Sequence, residues 1–94
     1  MHPLLEAHRT RIAAVAARHG ARALFVFGSM ARGDAGAESD VDFLVDLEPG
    51  RSLFDLGRMA TELEDLLGRP VDVVTRAGLR ERLRDRVLRE ATPL

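Results

Sequence analysis

A chain of 94 residues has room for one domain with a modest core, so the expectation is a single domain over 1–94 with little surface to spare for a separate substrate-binding module. A formal net charge of −1 announces neither a nucleic-acid grip nor an anionic membrane surface, and the absence of cysteine removes disulfides and thiolate chemistry. All 14 basic residues are arginine, which excludes a P-loop lysine or a Schiff base; no apolar run approaches a membrane span and no basic-then-apolar leader opens the chain, so the expected location is cytoplasmic.

Pro3 suits the first turn of a helix, and Leu4, Leu5, Ile12, Val15 and Ala16 recur at helical spacing until Gly20 offers a C-terminal stop. His8 and His19 on that helix read as structural or solvated residues rather than ligands. Arg22 to Phe27 follows as a first strand whose continuous apolar character argues for an interior place in a sheet. Gly28-Ser29 turns the chain into a short helical segment ending at Arg32, and 33–38 reads as loop by composition. A second strand runs from about Asp40 to Leu47. Alternation puts Val41, Phe43, Val45 and Leu47 on one face, expected to be core, and Asp40, Asp42, Leu44 and Asp46 on the other, expected to carry chemistry.

Ser52 with Asp55 three residues on predicts a capping box, and Leu53, Leu56, Ala60, Leu63 and Leu66 or Leu67 trace an amphipathic helix that Gly68 and Pro70 end. Met59 reads as core filler. Val71 to Val74 is a short third strand, with Asp72 on the face opposite Val71 and Val73. A last helix from about Leu79 to Glu90 is expected to turn Leu79, Leu83, Val87 and Leu88 inward. Its Arg80, Arg82, Arg84, Arg86 and Arg89, with Glu81, Asp85 and Glu90 between them, read as a solvated face.

The stretch from Gly28 to Asp42 carries the chemistry. Asp40 and Asp42 share one strand face, and like charges so close repel unless a cation lies between them. Magnesium suits carboxylate oxygens and is usually held by one or two of them together with substrate phosphates. Glycine in the Gly28-Ser29 turn would let the backbone approach such a phosphate closely. If the first two strands are antiparallel and the second and third parallel through a right-handed crossover, the Gly28-Ser29 turn, Asp40, Asp42 and Asp72 meet at one sheet end. Asp34, Glu38 and Asp46 read as solvated or loop-shaping residues.

In order and spacing, Gly28-Ser29, Ala31-Arg32-Gly33 and Ser39-Asp40-Val41-Asp42 resemble the signature of the minimal nucleotidyltransferases, the smallest members of the DNA polymerase β-like superfamily. Pro70-Val71-Asp72-Val73-Val74 looks like the later strand with that family's third carboxylate, and Val87 to Ala91 like its last helix, so the resemblance covers most of the chain. The fold it implies is α/β (α+β): a three-stranded mixed sheet of order 1-2-3 backed by helices. The activity it implies is transfer of AMP from ATP to a hydroxyl, with Mg2+ in a two-metal site. Asp40 and Asp42 would be ligands, and Asp72 a further ligand or the acceptor of the hydroxyl proton. Gly28 and Ser29 would hold the triphosphate, while Arg32 would either pair with a phosphate or brace the loop. The resemblance further implies an antitoxin whose partner is a helical HEPN-type toxin modified on a tyrosine. Two alternatives stand beside it: a non-catalytic antitoxin that acts by occlusion, and a nucleotidyltransferase for a small molecule.

Overall fold

The computed structural model describes residues 1–34, 36, 39–79 and 81–94, apart from the side chains of 81 and 82. Glu38 and Arg80, and the outward placing of Glu81 and Arg82, therefore lie outside the described residues. In chain order the elements are α1 (Pro3–Ala7), α2 (Arg9–Arg18), β1 (Ala21–Phe27), α3 (Ser29–Arg32), β2 (Val41–Leu47), α4 (Leu53–Leu67), β3 (Val71–Thr75), α5 (Glu81–Glu90) and β4 (Thr92–Pro93).

The sheet has the order β3-β2-β1-β4, so the expected three strands lie side by side as 1-2-3 and a fourth is added outside β1. β1 and β2 are antiparallel, with Phe27 opposite Asp42. β2 and β3 are parallel, with Asp42 opposite Asp72. The two residues of β4 pair with Phe25 and Val26, which makes β1 an interior strand there, in keeping with its apolar run. So short a strand, containing a proline, has no periodicity from which it could have been read.

One face of the sheet meets the helices. Val26, Val41, Phe43 and Val45 are buried with Leu5, Ile12, Val15 and Ala16 of the first two helices, Met30 of α3, and Met59, Leu63 and Leu67 of α4. Met59 is core, as its place in the stripe suggests. At the start of α4, the hydroxyl of Ser52 accepts from the N–H of Phe54, and the N–H of Ser52 donates to Asp55 at 2.9 Å. The capping box is formed, and Gly68 in the left-handed region ends the helix.

Four expectations need correction. The first helix is two, because His8 leaves helical geometry (φ −113°, ψ 12°) and its Nδ1 bonds to the Leu4 carbonyl at 2.9 Å instead. Leu53 is 81% exposed, being placed by the cap beside the equally open Phe54 rather than over the sheet. The second face of β2 is not purely chemical: Leu44 is fully buried there without joining the main core. In α5 only Val87 among the four expected inward residues is buried, with Leu83 49% and Leu88 37% exposed. The face of β2 and β3 opposite the core carries Asp42, Asp46 and Asp72 around Leu44, which leaves a helix little apolar surface to bury there. Among the described residues no helix is long and apolar enough to cross a membrane.

Candidate active site

Where β1 ends, Gly28 adopts φ 72° and ψ −153°, a conformation that a side chain would strain. Space demands glycine as well, since a Cβ there would stand 2.8 Å from Oδ2 of Asp42. The backbone of the turn and the carboxylate of Asp42 are therefore in direct apposition. Ser29 opens α3, whose Met30 is fully buried and pins the turn to the core, and Gly33 at φ 83° ends the helix after four residues. Among the described residues the N–H groups of Ser29 and Met30 donate to no backbone acceptor, as expected at a helix start.

Asp40 lies just before β2 and is exposed, Asp42 is half-buried, and Asp72 is exposed on the adjacent strand. Asp42 faces Asp72 in register on the adjacent parallel strand. The carboxyl of Asp42 is pushed above the usual carboxylate range, first by burial, then by the charge of Asp72, then by that of Asp40. None of the three is ion-paired among the described residues, whereas Asp46, further along the same strand, receives Nε of Arg76 at 2.9 Å. The three are neighbours rather than a closed cage: among the described residues no group of three or more His, Cys, Asp or Glu stands in metal-holding geometry. Crowded oxygen ligands short of a cation nevertheless suit a hard ion such as magnesium by charge and by chemistry.

Arg32 stands at the other end of α3. Its Nε donates to Asp34 at 3.2 Å and its Nη1 to Glu90 at 3.1 Å, so it braces the loop and the end of α5. Its proton affinity is raised chiefly by the bond to Asp34. Asp34 thus shapes the loop, and Asp46 is a paired surface residue. Gly28, Ser29, Asp40, Asp42 and Asp72 come together; Arg32 is near but turned to carboxylates. Glu90, read as part of a solvated face, instead pairs with Arg32 from the far end of the chain, and Glu64 and Arg69 were not singled out in the sequence, since nothing in the local pattern points to the backbone groups they hold.

Surface hollows include one of about 280 Å³ between α2 and β1, one of about 320 Å³ between α2 and α4, and one of about 280 Å³ beside the α4–β3 turn at Arg69 and Pro70. The carboxylates instead occupy an open sheet end, which a large acceptor can approach.

The family model described as nucleotidyltransferase domain matches residues 10–94. Over 87 residues the chain is 41% identical to the protein adenylyltransferase MntA of Thermococcus cleftensis, spanning 93% of this chain and 85% of that protein. A Methanocaldococcus jannaschii protein provisionally named a protein adenylyltransferase is 41% identical over 83 residues, which is 88% of this chain and 89% of the relative. A solved structure provisionally described as a minimal nucleotidyltransferase superposes with a TM-score of 0.82 at 52% identity, covering 100% of this chain and 97% of that one. A crystal structure of a toxin–antitoxin with AMP-PNP shares the fold, with a TM-score of 0.77 at 20% identity over 89% of this chain and 69% of that one.

Proposed function

The chain belongs to the nucleotidyltransferase domain family, and from that premise we propose that it is a magnesium-dependent protein adenylyltransferase serving as the antitoxin of a helical HEPN-type toxin. The observation that carries the reading is the register of Asp42 against Asp72, with the Gly28 backbone closed down on the same carboxylate. Crowded acids of this kind have no use in a purely occluding binder, because unpaired they cost stability. The name of the Thermococcus relative supports a protein acceptor, and the toxin–antitoxin neighbour with AMP-PNP supports an adenine nucleotide and a toxin partner.

Asp40 and Asp42 would hold Mg2+, with Asp72 as third ligand or as proton acceptor. When bound, the metal lowers the pKa of the attacking hydroxyl and offsets the charge of the phosphates. The turn at Gly28-Ser29 would present its backbone N–H groups to the triphosphate, and the missing side chain at Gly28 lets the Asp42 carboxylate lie against the same turn. Arg32, now held by Asp34 and Glu90, stands near enough to brace this turn, and its planar fork would equally suit a phosphate oxygen. In the reaction the acceptor oxygen bonds to the α-phosphorus, the bond from that phosphorus to the β-bridging oxygen breaks, pyrophosphate leaves, and the hydroxyl proton passes to Asp72. The hydroxyl is assigned to a tyrosine, serine or threonine of the partner, because in-line attack needs a positioned acceptor and the carboxylates lie at an open sheet end; the family resemblance favours tyrosine among the three.

The test mixes the toxin partner with wild-type or Asp42→Asn protein, ATP and magnesium, and records intact mass. One or more AMP units should appear on the partner with the wild type alone. Equal inhibition of the toxin by both proteins with no mass gain would leave occlusion as the mechanism.

A further inference from the structure

Asp40 makes no ion pair among the described residues and is exposed, so its position is set by backbone alone. Both peptide groups that flank its Cα are tied to consecutive residues of the α4–β3 turn. On one side the carbonyl of Ser39 accepts from Nη1 of Arg69 at 3.4 Å; on the other the N–H of Val41 donates to the carbonyl of Pro70 at 3.0 Å. The same Nη1 donates to the carbonyl of Gly36 at 3.0 Å, and Gly36 and Ser39 are bonded to each other twice, N–H of Gly36 to Oγ of Ser39 at 2.8 Å and N–H of Ser39 to the Gly36 carbonyl at 3.2 Å. One guanidinium nitrogen therefore gathers the loop that delivers Asp40. The turn is itself fixed: Gly68 takes φ 69° and donates to the Glu64 carbonyl at 2.8 Å, and the Glu64 carboxylate receives the N–H of Val71, beside Asp72, at 3.0 Å.

We propose that Arg69, outside the signature and touching none of the carboxylates, is the positioning residue that holds Asp40 beside Asp42 and Asp72 before any ligand arrives. The assignment builds on the proposed metal site. A ligand held in place without its metal spares the ordering that binding would otherwise require, and losing such outer support commonly lowers metal affinity by about 10–100-fold. A single nitrogen makes both contacts, so a lysine ammonium, with three donors, should replace it; methionine keeps the apolar stem and has no donor.

The experiment uses the full chain as wild type, Arg69→Met, Arg69→Lys and Asp42→Asn. Amide hydrogen exchange is followed without metal, and MgCl2 is titrated at fixed ATP with the rise in Tm as the signal. In Arg69→Met the amides of Ser39 and Val41 should exchange faster while those of β1 keep wild-type rates, and the MgCl2 needed for half the shift should rise about tenfold. Arg69→Lys should restore both to within about twofold, as only the donor is needed. Wild-type exchange and wild-type MgCl2 dependence in Arg69→Met would overturn the assignment while the metal site stands. So would equal changes in the Met and Lys variants that extend to β1, which mark a general loss of stability. A wild-type MgCl2 response in Asp42→Asn would remove the site itself, and the role of Arg69 with it.

Discussion

Asp40 and Asp42 at the start of β2 and Asp72 on β3 stand without a basic partner among the described residues, whereas Asp46, Glu62 and Asp55 in the same small domain are each matched. Asp46 meets Arg76 at 2.9 Å, Glu62 on α4 meets His19 of α2 at 2.8 Å and also Arg18, and Asp55 meets both Arg51, at 3.3 Å, and the N–H of Ser52. The proton affinities move in opposite directions. Glu62 is held below the ordinary carboxylate range, mainly by its bond to His19, and Asp55 mainly by the Ser52 N–H, while Asp42 is pushed above it. Matched acids tie helix to helix and cap a helix; Asp42, half-buried with like charges near it, opposes folding while ionised, in keeping with the proposed metal site.

The strongest way to break the contrast is Asp42→Asn. Nucleotide transfer should fall at least about a hundredfold, the scale on which loss of a charge-stabilising group acts, while the metal-free protein keeps or slightly gains stability. Labelled ATP with magnesium reads the first quantity and thermal denaturation the second; transfer near the wild-type level would place the chemistry elsewhere.

Next comes Gly28→Ala. The left-handed backbone alone should cost about 1–2 kcal/mol, or roughly 4–16 °C in Tm for a domain this small. The added Cβ, 2.8 Å from Oδ2 of Asp42, should also displace that carboxylate and reduce transfer. If the apposition is real, the substitution costs less in an Asp42→Ala background, and additive costs in the double variant would show that the two residues do not touch.

A smaller effect is expected from Glu62→Gln. The pair with Arg18 is exposed and screened by water, so the loss of stability should be small, and transfer should not change. Reduced transfer at unchanged stability would mean that the matched acids are not merely structural.

The smallest effects are those of pH, and they have opposite signs. Asp42 binds its proton more tightly folded than unfolded, so its contribution to stability is full below the ordinary value of 3.8 and is lost as pH rises through the raised folded value. The advantage of Asp42→Asn in metal-free protein should therefore be present at neutral pH and fade in acid. Asp55 contributes stability above its ordinary 3.8, lost as pH falls through its lowered folded value, so Asp55→Asn should cost stability at neutral pH and little in strong acid. Urea denaturation of both variants between pH 3 and 8 distinguishes the two trends.

Local pattern was enough for much of this. Alternation along Val41-Asp42-Phe43 put Asp42 on one face and apolar residues on the other, although the strand begins after Asp40, and spacing alone located the capping box at Ser52 and the buried Met59. Patterns of period 2 and 3.6 are written within a few residues, and the backbone enforces them wherever the chain folds. Arg32 could be read only as bound to phosphate or loop; its actual partners, Asp34 and Glu90, include one from the far end of the chain. The exposure of Leu53, Leu83 and Leu88 was equally out of reach, because an apolar periodicity says which face a helix offers and not whether another surface is there to cover it.

The sequence by itself thus determined the three main strands with the helices between them, the strand parity that turns Asp42 away from Val41 and Phe43, and the resemblance that led to the family. Tertiary structure alone decided the register of Asp72 on Asp42, the fourth strand, the closeness of Gly28 to the Asp42 carboxylate, and the grip of Arg69 on the loop before Asp40. These are contacts between residues about 14 to 68 positions apart, formed once loop closure and core packing have fixed where each element stops, and no local propensity encodes them.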